Sequence, residues 1–365
     1  MVTVEDSGLV YRNPRPELRA AHAWHPSLVH LGGARWLSSY DIGAGAESLD
    51  YATHLSWSED GGRTWTGPRR LFQEHLPRPT THSLRLSRTG DGTVLAFGGR
   101  FFRDDPERGL INTPGLGYTD MELVLLRSAD EGRSWSRPEV LRPPLEGPCF
   151  ETCHGVLELA DGAWLAPTST WMGWDGRAPN GMKAVALKST DQGRSWPTWI
   201  DLFDDWARGT ISWEVSVIQL PDRRLLAVAW ALEAVSGQTE PSPYAIVAPD
   251  GAVHRGQTGI SAQTAKLTLL PDGRVACVHR RHDVPGLWIS LVRIEGERWR
   301  TESQDPLWGG ADSGMPGADS VGAELSSLPF GYPSLVPRPE GDLLLLFWCR
   351  EDCVNNIRWM RLAVD

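Results

Sequence analysis

The chain has 365 residues, which exceeds the usual size of a single hydrophobic core unless the fold is a barrel or a closed repeat. Its 46 acidic and 36 basic residues give a net charge of -10. This balance argues against nucleic acid and anionic membranes as partners, because both attract a basic surface. No segment reaches the roughly 20 apolar residues of a membrane-spanning helix, so we expect no membrane span.

The N-terminal stretch MVTVEDSGLVYRNPRPELR lacks a basic start followed by an apolar core. No signal peptide is therefore predicted, and we expect a cytoplasmic protein unless a leader has been removed. Cysteines stand four residues apart at Cys149 and Cys153 and again at Cys349 and Cys353. That spacing fits neither a zinc knuckle nor a disulfide scaffold, so all five cysteines are expected to be reduced.

One pattern recurs six times along the chain: a short apolar strand, a tight turn and a second apolar strand. The six repeats begin at His25, His82, His154, Glu214, Gln263 and Tyr332. Several of their turns contain Asp-Gly or Glu-Gly, in which Gly supplies the positive φ of a hairpin. A period of about 60 residues leaves room for four strands per repeat. We therefore predict an all-β fold: one six-bladed β-propeller domain over residues 1–365, with four-stranded antiparallel blades.

A second motif occurs three times, as SEDGGRTW at 58–65, SADEGRSW at 128–135 and STDQGRSW at 189–196. We call these segments the octapeptides. Each falls where a blade would turn from its third to its fourth strand. Their Ser and Asp side chains can cap backbone N–H groups, Gly allows positive φ, and Trp can pack between sheets. A structural role is therefore predicted, with a calcium or carbohydrate site as the alternative.

The octapeptides resemble the Asp boxes, or BNR repeats, of the sialidase superfamily, and the blade count and period extend this resemblance over the whole chain. The same box occurs in sortilin-type receptors and exo-arabinanases, so it indicates the fold more strongly than the function. Alternating strand direction places the octapeptides on the face opposite the starts of the inner strands. The long loops between second and third strands share the face of those starts, where we expect the site.

Two segments resemble sialidase blades more closely. SWEVSVIQLPDRRLLAV resembles the blade whose Glu ionises a nucleophilic Tyr, and FGYPSLVPRPEGDLLLLFWCRE resembles the blade that carries that Tyr. The resemblance implies Tyr332 as nucleophile, Glu214 as its base and Glu351 as the carboxylate that orients an arginine. A phenol has a pKa near 10 and needs such a base to attack. For the general acid, an Asp in sialidases, Asp50 is the first choice and Asp41 the second.

The sequence departs from the sialidase pattern in its arginines. Trp24-His25-Pro26 stands where an Arg should grip the substrate carboxylate, and Trp230 stands where a second Arg is expected. Possible replacements are Arg100, Arg281 and Arg350, each at the end of a second strand. The remaining expected substrate-binding residues open the inner strands at His25, His82, His154 and Gln263.

The predicted function is a sialidase-like exo-glycoside hydrolase acting on a sugar, without a cofactor, on substrates other than ordinary sialosides. One alternative is a polysaccharide lyase or His-assisted glycosidase acting on uronate-containing glycans. Another is a zinc site formed by the three axial histidines and Glu214. A third is a non-catalytic carbohydrate-binding propeller whose stacking platform consists of Tyr118, Trp171, Trp174 and Trp230.

Overall fold

The structure is a computed structural model that describes residues 1–112, 115–281, 283–284, 286–309 and 330–365. In these residues, six antiparallel sheets account for the strands, and Trp206–Arg208 forms a turn of 3-10 helix. The chain begins with β1 (Val2–Tyr11), which belongs to the sixth sheet and is described with it below.

The first three blades follow one another along the chain. The first consists of β2 (His22–Gly32), β3 (Arg35–Gly43), β4 (Ala52–Ser58) and β5 (Arg69–Arg70). The second consists of β6 (Thr80–Arg88), β7 (Val94–Phe102), β8 (Met121–Ser128) and β9 (Glu139–Val140). The third has a divided inner strand and consists of β10 (Cys149–Glu151), β11 (Leu157–Glu158), β12 (Trp164–Trp171), β13 (Ala184–Ser189) and β14 (Thr198–Phe203).

The last three blades complete the ring. The fourth consists of β15 (Thr210–Gln219), β16 (Leu225–Glu233), β17 (Thr239–Glu240), β18 (Pro243–Val247) and β19 (Val253–Gln257). The fifth consists of β20 (Ala262–Leu269), β21 (Val275–Arg281), β22 (Gly286–Glu295) and β23 (Arg298–Trp308). The sixth consists of β24 (Phe330–Pro337), β25 (Leu343–Glu351) and β26 (Val354–Val364), with β1 as its outermost strand.

Hydrophobic contact between neighbouring blades holds the ring together. Each junction has its own cluster of buried side chains: Leu37 and Leu84 belong to the cluster between the first and second blades, for example. Corresponding clusters occupy the other five junctions, including the one between the sixth and first blades. The predicted six-bladed β-propeller is therefore confirmed.

The octapeptides are self-contained turns on one face of the ring. In the first, Asp60 accepts the backbone N–H of Thr64 at 2.9 Å and its hydroxyl at 2.6 Å, while Ser58 accepts the N–H of Gly62 at 2.9 Å. The other two octapeptides repeat these bonds. The N–H of Gly61 donates to Ala34 in the hairpin turn after β2. The octapeptides thus lie at the end of each blade away from the inner-strand starts.

Candidate functional site

A cavity of about 170 Å³ lies at the end of the propeller axis where the inner strands begin. We call it the axial cavity. All six blades contribute to it. Its polar lining consists of His25, Glu47, Tyr51, Ser83, Arg85, Glu151, Thr152, Cys153, Glu214, Thr264, Arg280 and Tyr332. Its apolar lining is largely aromatic and consists of Ala46, Phe101, Leu110, Ile111, Tyr118, Trp213, Trp230 and Trp348. None of the octapeptide residues is part of this lining.

Four inner strands share a backbone irregularity where they meet the axial cavity. His25, Glu214, Thr264 and Tyr332 have φ angles of 51°, 49°, 50° and 50°. Each lies at a register shift between the first and second strands of its blade. Positive φ is uncommon for side chains of these sizes, and a bulge of this kind re-aims a side chain. The repeated bulge places all four side chains in the cavity lining, and such local strain is typical of functional sites.

Arg85 is a buried cation that contacts the hydroxyl of Tyr332. Its Nε donates to that hydroxyl at 2.8 Å, and its guanidinium carbon lies 4.8 Å from the centre of the Tyr332 ring. The hydroxyl donates in turn to the carbonyl oxygen of Cys153. Burial raises the pKa of Tyr332 well above its ordinary value, although the charge of Arg85 acts in the opposite direction. The phenol is therefore neutral at pH 7 in this resting arrangement.

Asp41 supplies the counter-charge to Arg85. One carboxylate oxygen lies 3.1 Å from Nη1 of Arg85 and accepts the hydroxyl of Ser83 at 2.8 Å, and the other accepts the hydroxyl of Thr53 at 2.6 Å. Burial favours the neutral acid, but Arg85 and the hydrogen bonds hold the pKa of Asp41 below its ordinary value. Asp41 is thus an ionised, fully paired group behind the cavity lining, which makes it a poor proton donor.

His25 connects this ion pair to the cavity. Its Nδ1 lies 2.6 Å from the hydroxyl of Tyr51, which also lies 3.2 Å from Asp41. The His25 ring meets the ring of Tyr332 edge-on, with centroids 4.9 Å apart. Burial lowers the pKa of His25, against the effect of the Asp41 carboxylate 3.5 Å from Nδ1, so the imidazole is neutral at pH 7. A neutral imidazole in this position can accept a proton.

Glu151 and Glu214 are neighbouring carboxyl groups in the axial cavity. Glu151 accepts the backbone N–H of Glu214 at 3.0 Å and the thiol of Cys153 at 2.7 Å, and Glu214 accepts the hydroxyl of Thr264. Burial, followed by the charge of Glu214, raises the pKa of Glu151 to about 7. Burial also raises the pKa of Glu214, but the Thr264 hydrogen bond and the charge of Arg280 oppose the shift. Near neutral pH the pair can therefore hold one proton on Glu151 and one charge on Glu214.

Cys153 lies between the carboxyl pair and Tyr332. Burial and the charges of Glu151 and Glu214 raise the pKa of its thiol well above the ordinary value. The side chain is therefore a protonated thiol that donates a hydrogen bond and is not a thiolate nucleophile.

A row of aromatic rings forms one wall of the site. Tyr118, Trp171, Trp213 and Trp230 follow one another with centroid separations of 5.4, 5.1 and 4.4 Å. Tyr118, Trp213 and Trp230 line the cavity, whereas Trp171 is buried behind them. Trp174, the other predicted member of the platform, is covered by Arg108 and does not line the cavity.

Of the predicted catalytic and binding residues, His25, Glu214 and Tyr332 line the axial cavity. Two other predicted residues, Gln263 and His154, do not line the cavity, but a sequence neighbour of each does. Thr264 occupies the position predicted for Gln263, which is buried and accepts a hydrogen bond from Arg280 at 2.7 Å. Cys153 lines the cavity at the level predicted for His154, whose Nδ1 lies 3.0 Å from Nζ of Lys266.

His82 and Arg100 lie outside the axial cavity. Both bind Glu74, with His82 Nε2 at 2.7 Å and Arg100 Nη1 at 3.1 Å from its carboxylate oxygens. His82 belongs to β6, which pairs with the strand of Arg100, β7, without a register shift, so no bulge turns His82 toward the axis. Ser83 and Arg85 line the cavity in their place.

The other predicted residues also lie outside the lining. Asp50, the first choice for the general acid, is exposed and accepts the backbone N–H of Ala44 at 3.0 Å. Arg281 pairs with Asp283 at 2.6 Å, and Glu351 pairs with Arg358 at 2.7 Å. Arg350 is exposed. The last three belong to the ends of the second strands β21 and β25, which contribute Arg280 and Trp348 to the lining instead.

The zinc alternative requires three or more ligands in one place. Across the residues that the structure describes, no three His, Cys, Asp or Glu side chains form a group that could hold a metal ion. His82 faces Glu74 and His154 faces Lys266, so the axial histidines do not converge.

Sequence analysis did not identify three charged residues of the cavity lining: Arg85, Glu151 and Arg280. Two of them could have been detected. Arg85 interrupts the apolar pair Leu84 and Leu86 in an inner strand, and Glu151 follows the apolar Phe150 at the start of another. A charged residue at such a position requires a buried partner, and it therefore indicates a buried polar site.

Comparison with known proteins supports the fold. The structure is similar to a protein of unknown function from Dyadobacter fermentans, with 18% identity, a TM-score of 0.76 and coverage of 100% of this chain and 99% of the other. It is similar to Trypanosoma rangeli sialidase in complex with sialic acid, with 14% identity, a TM-score of 0.65 and coverage of 94% and 55%. It is also similar to Penicillium chrysogenum alpha-L-arabinanase complexed with arabinobiose, with 14% identity, a TM-score of 0.65 and coverage of 98% of both chains.

The fold is therefore that of the sialidase-like propellers. No protein-family model and no curated protein matches the sequence. In the described ranges, no helix is long and apolar enough to span a membrane.

Proposed function

We propose that this protein is a glycoside hydrolase that cleaves a terminal sugar bound in the axial cavity. One observation carries the proposal: Glu151 and Glu214 are neighbours in the cavity, and the pKa of Glu151 is raised to about 7. Glycoside hydrolysis commonly uses one protonated and one ionised carboxyl group. The likeness in fold to sialidases and to an arabinanase supports the same class of reaction.

In this proposal Glu151 is the general acid. Its raised pKa keeps a proton available near pH 7, and it can transfer that proton to the oxygen of the leaving group. Glu214 is the ionised partner. It either removes the proton of Tyr332 as the phenol attacks or attacks the anomeric carbon itself. Among the described residues Glu214 and Tyr332 share no hydrogen bond, so the first route requires the substrate to bring the two groups together.

The same geometry argues against an ordinary sialoside as substrate. Arg85 already donates to Tyr332, Asp41, Ser83 and the carbonyl oxygen of Leu84. A substrate carboxylate would have to displace these partners to gain a bidentate contact. The aromatic wall suits the apolar face of a neutral sugar ring, against which Trp213 and Trp230 can stack.

A screen of chromogenic glycosides tests the proposal. With an accepted substrate, Glu151→Gln and Glu214→Gln should each lower kcat by about 100-fold or more, because a general acid or a nucleophile is lost. Glu59→Gln, which removes an exposed carboxyl group on the opposite face, is the matched control and should keep full activity. Hydrolysis that survives both active-site substitutions would exclude the proposed mechanism.

A double-mutant cycle separates the two roles of Glu214. If Glu214 is the base for Tyr332, then Tyr332→Phe and Glu214→Gln act on one step, and the double variant should be little slower than either single variant. If the two losses of kcat multiply, the residues act independently, and Tyr332 is not activated by Glu214.

A second candidate is a lyase acting on a uronate-containing glycan. The observation that favours it is the neutral His25 in edge contact with Tyr332, which offers a base and a proton donor at one end of the cavity. A lyase yields an unsaturated product with new ultraviolet absorbance, whereas a hydrolase yields a reducing sugar without it. His25→Ala should abolish a lyase reaction.

A further inference from the structure

A second cavity of about 280 Å³ lies in the central channel beneath the floor of the axial cavity. We call it the channel cavity. Arg85, Cys153 and Tyr332 line both cavities and therefore form the floor between them. The remaining wall comes mainly from the inner strands β2, β6 and β24 and from Lys266 of β20.

The charged side chains of this wall all have one sign. Arg85, Arg88 and Lys266 line the channel cavity, and no Asp or Glu is among the described residues that line it. The other titratable groups on the wall are His30, Cys153, His154 and Tyr332. A purely cationic wall is unexpected in a chain whose net charge is -10. Such a wall favours a negatively charged occupant.

Lys266 is a cation of this wall that lacks a counter-charge among the described residues, and Arg88, which is exposed, donates only to backbone carbonyl oxygens. Asp41 balances Arg85 at 3.1 Å, but Nζ of Lys266 is bonded to the neutral ring of His154 at 3.0 Å. Within the described part of the chain, Lys266 forms no ion pair. Burial, together with the charge of Arg85, lowers the pKa of Lys266 to about 8. An ammonium group in such a place is costly unless an anion compensates it.

His154 adds a donor of defined orientation. Because the ammonium group of Lys266 donates to Nδ1, the ring proton of neutral His154 resides on Nε2. That Nε2 is buried and has no hydrogen-bond partner among the described residues. An anion beside Lys266 would compensate the charge of the ammonium group. Nε2 lies on the other side of the ring from Nζ and could reach the same anion only if the ring turned over.

We propose that the channel cavity binds a small inorganic anion at Lys266, beneath the floor of the axial cavity. The site depends on the lysine charge, so the affinity should fall as the pH rises through about 8, where Lys266 loses its proton. The guanidinium groups of Arg85 and Arg88 supply the remaining positive potential.

Bromide and inorganic phosphate are suitable probes. Crystals soaked in sodium bromide should show an anomalous difference peak within hydrogen-bonding distance of Nζ of Lys266. In calorimetric titration with phosphate at pH 6.5, Lys266→Met should weaken binding by at least about tenfold, because a charge-assisted hydrogen bond contributes on that order. Lys188→Met, which changes a lysine outside both cavities, is the matched control and should bind like the native protein.

A bromide-soaked crystal of the native protein tests the anion site even if Lys266→Met fails to fold. An anomalous map in bromide with no peak at Lys266 overturns the proposal. Phosphate binding that Lys266→Met leaves unchanged overturns it as well. So does a bromide peak at Lys266 that is no weaker in crystals soaked at pH 9.5 than in crystals soaked at pH 6.5, since bromide keeps the same charge at both values. The glycosidase assays do not enter these measurements, so failure of the anion site and failure of the proposed hydrolase are distinguishable.

Discussion

Glu151 couples the chemistry of the cavity to the stability of the protein. Its pKa is raised to about 7 in the folded chain, whereas an unfolded Glu titrates near 4.3. The folded state therefore binds the proton more tightly. A buried carboxyl group that resists ionisation still carries a proton near pH 7 and can act as a general acid. The same burial lowers the stability of the protein at a pH where the group ionises.

The raised pKa of Glu151 determines how the free energy of unfolding changes with pH. Between about pH 4.3 and pH 7 the folded state holds more protons at Glu151 than the unfolded state, so the free energy of unfolding falls as the pH rises. Replacing Glu151 with Gln removes this contribution to the pH dependence of the free energy of unfolding. We expect Glu151→Gln to gain up to about 3 kcal/mol relative to the native protein between pH 4 and pH 8, as measured by chemical denaturation at each pH.

Glu59→Gln serves as the control because its exposed side chain should leave the pH profile of the native protein intact. If the stability difference between Glu151→Gln and the native protein stays constant from pH 4 to pH 8, Glu151 does not have a raised pKa, and its role as general acid is excluded.

At the level of strands, the difference between prediction and structure lies in single-residue bulges. The repeat pattern identified the six inner strands and the face on which they begin, because hairpin turns and apolar runs are local signals. It could not locate the bulges, which depend on contacts around the axis. Since side chains alternate along a strand, a shift of one residue exchanges Gln263 for Thr264 in the cavity. Cys153 and His154 lie in the gap between β10 and β11, where no strand pattern indicates which side chain faces the cavity.

The second blade differs because it lacks the bulge. Its inner strand β6 has no bulge, so the predicted His82 lies away from the axis and Arg85 lines the cavity instead. In three of the four blades with the bulge, the predicted residues His25, Glu214 and Tyr332 line the cavity, and in the fourth the bulge carries Thr264 instead of the predicted Gln263.

The octapeptides allow a test of their structural role at the level of the element. Trp196 of the third octapeptide is 3% exposed and belongs to the core cluster between the second and third blades, whereas Trp135 of the second is only half-buried. Trp196→Ala should cost about 3–5 kcal/mol of stability, and Trp135→Ala about half as much. Denaturant titration measures both.

Neither substitution should change kcat or KM on an accepted substrate, because neither Trp lines the axial cavity. Equal losses of stability would contradict the burial difference. Loss of activity in a folded Trp196→Ala variant would show that the octapeptide face contributes to the site.

On the scale of the whole molecule, the ring is closed by strands from opposite ends of the chain. Strand β1 pairs with β26 along the outer edge of the sixth blade. It also contacts the adjacent blades: the N–H of Val2 donates to Asp305 at 3.0 Å, and the ring of Tyr11 lies 5.5 Å from that of Tyr40. The cavity depends on this closure, since Tyr332 and Trp348 of the sixth blade line it.

Removal of residues 1–11 should therefore weaken both the ring and the site. Val2 and Val10 are buried, and losing their burial alone costs about 3–6 kcal/mol, so we expect the melting temperature to fall by at least about 5 °C. The cavity should lose substrate affinity as the sixth blade loosens. A synthetic peptide of residues 1–11 added to the truncated protein should restore the melting temperature, because the exposed edge of β26 can pair with it again. A peptide of the same composition in scrambled order should not. If the truncated protein melts at the native temperature, β1 does not contribute to closure, and contacts between the first and sixth blades alone hold the ring.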